Sequence, residues 1–291
     1  MDERAARGLA FKRRDSEGNV TAFRNTITSK LGMTDLQGLL IGESGEFTEA
    51  VEAFEVEGLA RDALLNILLP ASDLTRKVRL AKAIGVPFSV WIHGTDDGEI
   101  IRAIQLDVDE GRLGGVKVVT ERRCTEDKFI EWWAEKKKTP QTKKFRKRYI
   151  QDSYFDKLLE NHGMVWGGNI DGAIFAPDGS VEAIVEIRCT EKNPIETYDP
   201  SRYYKEDTFT WQPVLKLSRD LGIPCVLLTF KKEYKDGEKG VLGVAGVLGN
   251  DDNGLKYLDA KPPCNNLVHS ADEVRRFVLD MKIARMQLKQ I

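Results

Sequence analysis

Apolar and polar residues change rhythm along this chain, and each change predicts an element. Residues 170 to 176 (Ile-Asp-Gly-Ala-Ile-Phe-Ala) and 181 to 188 (Val-Glu-Ala-Ile-Val-Glu-Ile-Arg) are β-rich. Between them Pro177-Asp178-Gly179-Ser180 offers a proline that fixes φ and a glycine that accepts φ > 0, so the two runs are expected to pair as a hairpin. Residues 223 to 230 and 241 to 248 read as further strands, and Met164-Val165-Trp166 as a short one. Helices are expected near 152 to 161 and 209 to 221. A closing amphipathic helix is expected at 271 to 290, starting after Ser270 with Asp272 and Glu273 in its first turn. Earlier in the chain, residues 19 to 84 are expected to be helical, broken at Gly32, Gly38, Gly58 and Pro70. Strand and turn then alternate from Val86 to Val119.

The 291 residues leave room for a substantial core and two domains, and a hydrophobic share of 41% is ordinary for a soluble chain. No apolar run is long enough to span a bilayer, and Met1-Asp2-Glu3-Arg4 does not start like a signal peptide, so a cytoplasmic location is expected. Cys124, Cys189, Cys225 and Cys264 are widely spaced, as are His93, His162 and His269, which indicates neither a disulfide framework nor a zinc site.

The chemistry concentrates in the hairpin. Side chains alternate along a strand, so Glu186 and Arg188 share one face while Val185 and Ile187 take the other, towards the core. Pairing about the turn brings Asp171 opposite the end of the second strand, close to Glu186. Two carboxylates on adjacent strands offer the hard oxygen ligands that hold Mg²⁺, and such a metal activates water and neutralises charge on a phosphate. A glutamate inside an apolar run also needs a partner to offset its desolvation. The competing reading is a turn-flanking aspartate and an edge-strand glutamate with structural roles only.

An Asp, a hairpin and then Glu-x-Arg, in this order of elements over residues 150 to 232, resembles the PD-(D/E)XK nuclease superfamily, which includes most type II restriction endonucleases. The resemblance implies an α/β fold with a restriction-endonuclease-like core (helix, three strands, helix, strand) and an N-terminal α+β region. It implies Asp171 and Glu186 as metal ligands, and Glu160 on the preceding helix as an additional acidic one. Gln212 and Lys216, four apart on the following helix, would look onto the hairpin and the DNA; the bland alternative for Glu160, Gln212 and Lys216 is a solvated helix face. Two positions depart from the pattern. Ile170 stands where a proline is usual, and Arg188 where the family has lysine. Arginine keeps its proton at any working pH, so Arg188 could hold water or phosphate without acting as a base, and Lys192 is the alternative source of an ammonium group.

Net charge is only −2, but it is unevenly spread. Lys136, Lys137, Lys138, Lys143, Lys144, Arg146, Lys147 and Arg148 form a run of eight basic residues with no acid, interleaved with Phe145 and followed by Tyr149. Such a run binds phosphates in a strongly salt-dependent way; the alternative is a solvated linker. Residues 31 to 60 contain no Lys or Arg but carry Asp35, Glu43, Glu46, Glu49, Glu52, Glu55 and Glu57. The three-residue spacing of the glutamates suggests an exposed acidic helix face turned away from DNA. Asp96, Asp107 and Asp109 imitate a second acidic site, though no basic residue follows Asp109 directly.

Together these features lead to an expected Mg²⁺-dependent endonuclease cleaving double-stranded DNA, of restriction type and acting as a homodimer. Its expected division is a recognition or dimerisation region at 1 to 125, a basic segment at 126 to 150 and a nuclease domain at 151 to 291. Two alternatives stay open: a repair or recombination nuclease that reads DNA structure, and a DNA-binding protein on a nuclease-like fold without catalysis.

Overall fold

The computed structural model describes residues 27, 29–56, 72–94, 98, 100–111, 115–137, 153–166, 168–190, 204–231, 242–251, 254–258 and 267–288. They form a mixed α/β protein that divides into two compact units. The first holds the described residues between Leu36 and Asn169, and the second those up to Asp35 and from Ile170 onward. Among the described residues no helix is long and apolar enough to cross a membrane.

The first unit is built on a five-stranded sheet of β2 (Gly38–Ile41), β3 (Phe47–Val56), β4 (Phe88–Gly94), β5 (Ile100–Asp109) and β6 (Gly115–Thr125), paired in that order. Strands β3 and β4 run parallel, which requires a crossover, and helix α1 (Ser72–Ile84) lies between them in the chain. The other neighbours are antiparallel. Lys77 of α1 bonds Glu52 of β3 at 2.9 Å, both nearly free of solvent. The sheet's other face carries Val51, Ala53, Trp91, Ala103 and Ile101. This face packs against α2 (Glu126–Lys136), through Phe129, Ile130 and Trp133, and against α3 (Tyr154–Asn161), through Phe155, Leu158 and Leu159.

In the second unit the sheet order is β1 (Met33–Leu36), β7 (Ile170–Phe175), β8 (Val181–Thr190), β9 (Cys225–Lys231), β10 (Leu242–Asp251) and β11 (Gly254–Tyr257), with β12 (Leu267–Val268) also paired to β10. The expected hairpin of β7 and β8 forms, and Gly179 adopts φ +84° in its turn, where Asp178 Oδ1 accepts the Ser180 amide at 2.9 Å. β8 and β9 are parallel, joined through α4 (Tyr204–Asp220). α5 (Ala271–Leu288) buries Val274, Val278 and Met281 with Val185, Ile187, Val226, Leu228 and Val244.

Two expectations are corrected. Residues 33 to 56 form strands instead of a broken helix, because Glu49 and Glu52 are buried with partners and their spacing reports no exposed face. Glu52 Oε1 accepts the backbone N–H of Gln37 at 2.8 Å, its Oε2 faces Lys77, and Glu49 accepts the Ser89 hydroxyl. Met164, Val165 and Trp166 form no strand: the Trp166 indole N–H donates to Gln37 O at 3.0 Å and its ring stacks near Trp133, 4.7 Å between centroids. Beside β7 stands β1, contributed from far earlier in the chain.

Candidate active site

The hairpin register pairs Gly172 with Val185 and Ala173 with Ile184. Carried one residue further, it sets Asp171 beside Glu186. The two carboxylates are buried, Asp171 at 6% and Glu186 at 1% exposure. Asp171 Oδ2 accepts the backbone N–H of Ile187 at 3.0 Å, which fixes the aspartate against the strand that carries Glu186. Glu186 Oε1 lies 3.0 Å from a guanidinium nitrogen of Arg188, two residues along the same strand and therefore on the same face. This answers the desolvation of Glu186, because its charge is met by an arginine that is itself only 22% exposed.

α4 belongs to the same constellation. The Arg188 guanidinium carbon sits 5.6 Å from the centroid of the fully buried Trp211 ring, a cation–π distance. In the parallel pairing of β8 with β9, Thr229 is the partner of Arg188. The Thr229 hydroxyl and the Trp211 indole N–H are both buried without a hydrogen-bond partner among the described residues. Buried polar atoms are nearly always satisfied, so two orphans around one arginine suit a site that takes water or a polar ligand.

The remaining expected site residues are distributed differently. Gln212 is exposed, and Lys216 bonds Asp220 at 2.7 Å one turn along the helix. The inward residue is Trp211. A shift of one residue turns a helix by about 100°, so Trp211 and Gln212 take different faces. The apolar Trp211, Val214 and Leu215 are the sequence signal for the inward face. Glu160 is exposed on α3 and belongs to the first unit. Among the described residues no three His, Cys, Asp or Glu side chains group as a metal-binding set. Lys136 and Lys137 are half-buried at the end of α2, the former 3.8 Å from Glu49 and the latter donating to Val165 O at 3.2 Å. Lys138, Lys143, Lys144, Arg146, Lys147, Arg148 and Lys192 lie outside the described residues, as does Asp96. Asp107, within β5, accepts the N–H of Val108, and Asp109 accepts that of Gly111, as a turn-forming aspartate does.

No protein-family model matches the chain, and no curated protein does. Among solved structures, the C-terminal domain of a sex pheromone staph-cAM373 precursor from Staphylococcus aureus aligns at 7% identity and a TM-score of 0.18. That alignment covers 74% of this chain and 65% of that one. A sex pheromone precursor from Lactobacillus salivarius subsp. salivarius aligns at 9% identity and a TM-score of 0.16, over 79% and 67%. Scores this low carry no argument about fold or activity.

Proposed function

We propose that the second unit is a Mg²⁺-dependent endonuclease for double-stranded DNA, with Asp171, Glu186 and Arg188 at its centre. One observation carries the reading: two buried carboxylates side by side on a hairpin, one of them 3.0 Å from an arginine. The element order adds support. The helical residues Ser29 to Leu31, then β1, β7, β8, α4 and β9, follow the sequence helix, three strands, helix, strand, with β1, β7, β8 and β9 adjacent in the sheet. In this reading the whole first unit is inserted between the first and second strands of a nuclease core.

The donor set suits the metal, since both groups are hard oxygen ligands and Mg²⁺ is usually held by one or two carboxylates with waters and phosphate. Asp171 and Glu186 would hold it, and it would supply Lewis acidity towards a phosphate and a more acidic water. The protein's own residues do the positioning. The Ile187 amide fixes Asp171, and Arg188 holds Glu186 from the same strand and offers its remaining N–H groups to a phosphate oxygen. Arg188 stays protonated and therefore takes no proton from water. The basic run from Lys136 to Arg148 would hold the DNA backbone, and a homodimer would present two such centres, one per strand.

A second reading has an observation of its own. Arg188 lies against both Glu186 and Trp211, as in a structural ion pair, and this favours a DNA-binding protein without catalysis. Incubating supercoiled plasmid with the protein and Mg²⁺ separates the readings. Discrete fragments support a sequence-specific endonuclease and nicking at branched DNA a repair enzyme, whereas a gel shift with intact plasmid leaves binding only.

A further inference from the structure

The five-stranded sheet of the first unit presents a polar corner that its helices leave open. On the face that carries Trp91, the register runs Val51, Ser89, Gln105 and Thr120 across four strands, with Ala53, Trp91, Ala103 and Arg122 as the next row. α2 and α3 cover the apolar end of this face, and beside the C-terminal end of α2 lies a cleft of about 360 Å³. Glu49 and Ser89 are its buried polar groups, Gln105 and Thr120 stand on one side, and Trp132 and Lys136 come from α2. The volume falls within the range of small-molecule sites, about 300–1,000 Å³.

The lining is chemically specific. Trp132 supplies an aromatic wall, itself braced by Trp91 at 4.4 Å between centroids. Gln105 offers both a donor and an acceptor, and its oxygen already takes the Thr120 hydroxyl at 3.3 Å. Glu49 accepts from Ser89 and lies 3.8 Å from Lys136, so this carboxylate is presented on a built framework, and the exposed Glu135 of α2 is a second carboxylate in the lining. Burial pushes the Glu49 carboxyl above its ordinary value, with Ser89, Lys136 and Arg122 pulling the other way. Arg122 and Lys136 add two cations at the cleft, and in sequence Lys136 begins the basic run.

We propose that this cleft binds a nucleobase carried on a nucleotide, stacked on Trp132 and read at its edge by Gln105 and Glu49, with Arg122 and Lys136 towards the phosphate. An aromatic face, an edge-reading amide, a carboxylate and flanking cations together match a planar ring that carries donors, acceptors and an anionic tail. The base can come from a free mononucleotide or from a strand out of which it has been turned. Only the second source rests on the endonuclease reading.

Calorimetric titration of the full chain with each of the four deoxynucleoside monophosphates tests the first source, and titration with a single-stranded oligonucleotide the second. Trp132→Ala should weaken binding about tenfold or more, the scale of one lost base stack. Gln105→Ala should weaken it too, and Glu49→Gln should reorder the preference among bases, which a loss of folding alone would not do. Mononucleotide binding with these effects supports the free source, and oligonucleotide binding alone with these effects supports the strand source. Absence of binding to either probe, or binding insensitive to all three substitutions, overturns the proposal. If mononucleotides bind while plasmid stays uncut with Mg²⁺, the cleft stands and the endonuclease reading fails; if plasmid is cut but the cleft substitutions change no titration, the reverse holds.

Discussion

Arg188 reaches back along its own strand to Glu186, 3.0 Å away, in a part of the sheet where the carboxylate has almost no exposure to water. Removing one partner of a buried pair strands the other charge, at a cost of about 3–5 kcal/mol when both are fully buried. Because Arg188 keeps some exposure, Arg188→Ala is expected to cost about 3 kcal/mol, at the low end of that range. Arg188→Lys should recover part of it. Urea melts of the two variants measure this, and equal stability of Arg188→Ala and the parent would show that the pair contributes nothing to the fold.

A similar pair lies in the first unit. Lys77→Met leaves Glu52 buried and should lower stability by about 3 kcal/mol, whereas Lys77→Met with Glu52→Leu should regain much of the loss, since apolar replacements of buried pairs are often neutral. Recovery in the double variant will be incomplete, because Glu52 also accepts the backbone N–H of Gln37. A double variant less stable than Lys77→Met would contradict this account.

Much of the second sheet could be read from sequence because its signals are local. The Pro177 to Ser180 turn specifies the hairpin, and a helix between two apolar runs specifies the parallel neighbour β9. The strand β1 could not be read that way, since nothing local tells Met33 to Leu36 that their partner begins at Ile170. The pairing of Glu49 with Ser89 is hidden for another reason. The strand of Ser89 is legible, but the cleft is not, because a glutamate at three-residue spacing reads as a helix face, and only the fold brings Glu49 against the Ser89 hydroxyl. On α4 the apolar stripe of Trp211, Val214 and Leu215 marks the face turned to Arg188, one residue out of phase with the exposed Gln212.

Glu49 also gives the fold a pH dependence. Its carboxyl is held above the ordinary range by burial, so in the folded protein it keeps its proton to higher pH than in the unfolded chain. The stability tied to that proton is fully present below the ordinary carboxylate pKa, about 4.3 for glutamate. It is lost as pH rises through the raised value. Glu49→Gln carries no charge at any pH, so its stability relative to the parent should increase between about pH 4 and pH 8. Denaturation of both proteins at the two ends of that window checks the sign; a gap that stays constant with pH would mean that Glu49 titrates normally.

Gly168 adopts φ +82°, and a Cβ there would meet the carbonyl oxygen of Leu39 at 2.5 Å. The same two residues are already joined, Leu39 N–H donating to Gly168 O at 2.8 Å. Gly168→Ala therefore adds backbone strain to a clash with a main-chain atom and should cost about 1–3 kcal/mol. Thermal melting reads this directly, and an unshifted midpoint would show that the segment relaxes freely.

In the proposed function Asp171 and Glu186 serve phosphodiester cleavage, a claim that plasmid digestion by Asp171→Asn in parallel with the parent tests. With Mg²⁺ the parent should cut the plasmid, while Asp171→Asn should lose about 10²–10³-fold in rate, the scale of losing one preorganised electrostatic contact. In Ca²⁺ both should shift the same DNA at similar concentrations, since the carboxylate acts on the transition state more than on the bound ground state. Cleavage by Asp171→Asn at the parent's rate, or no cleavage by the parent with Mg²⁺ or Mn²⁺ on a broad panel of DNA sequences, would contradict the claim.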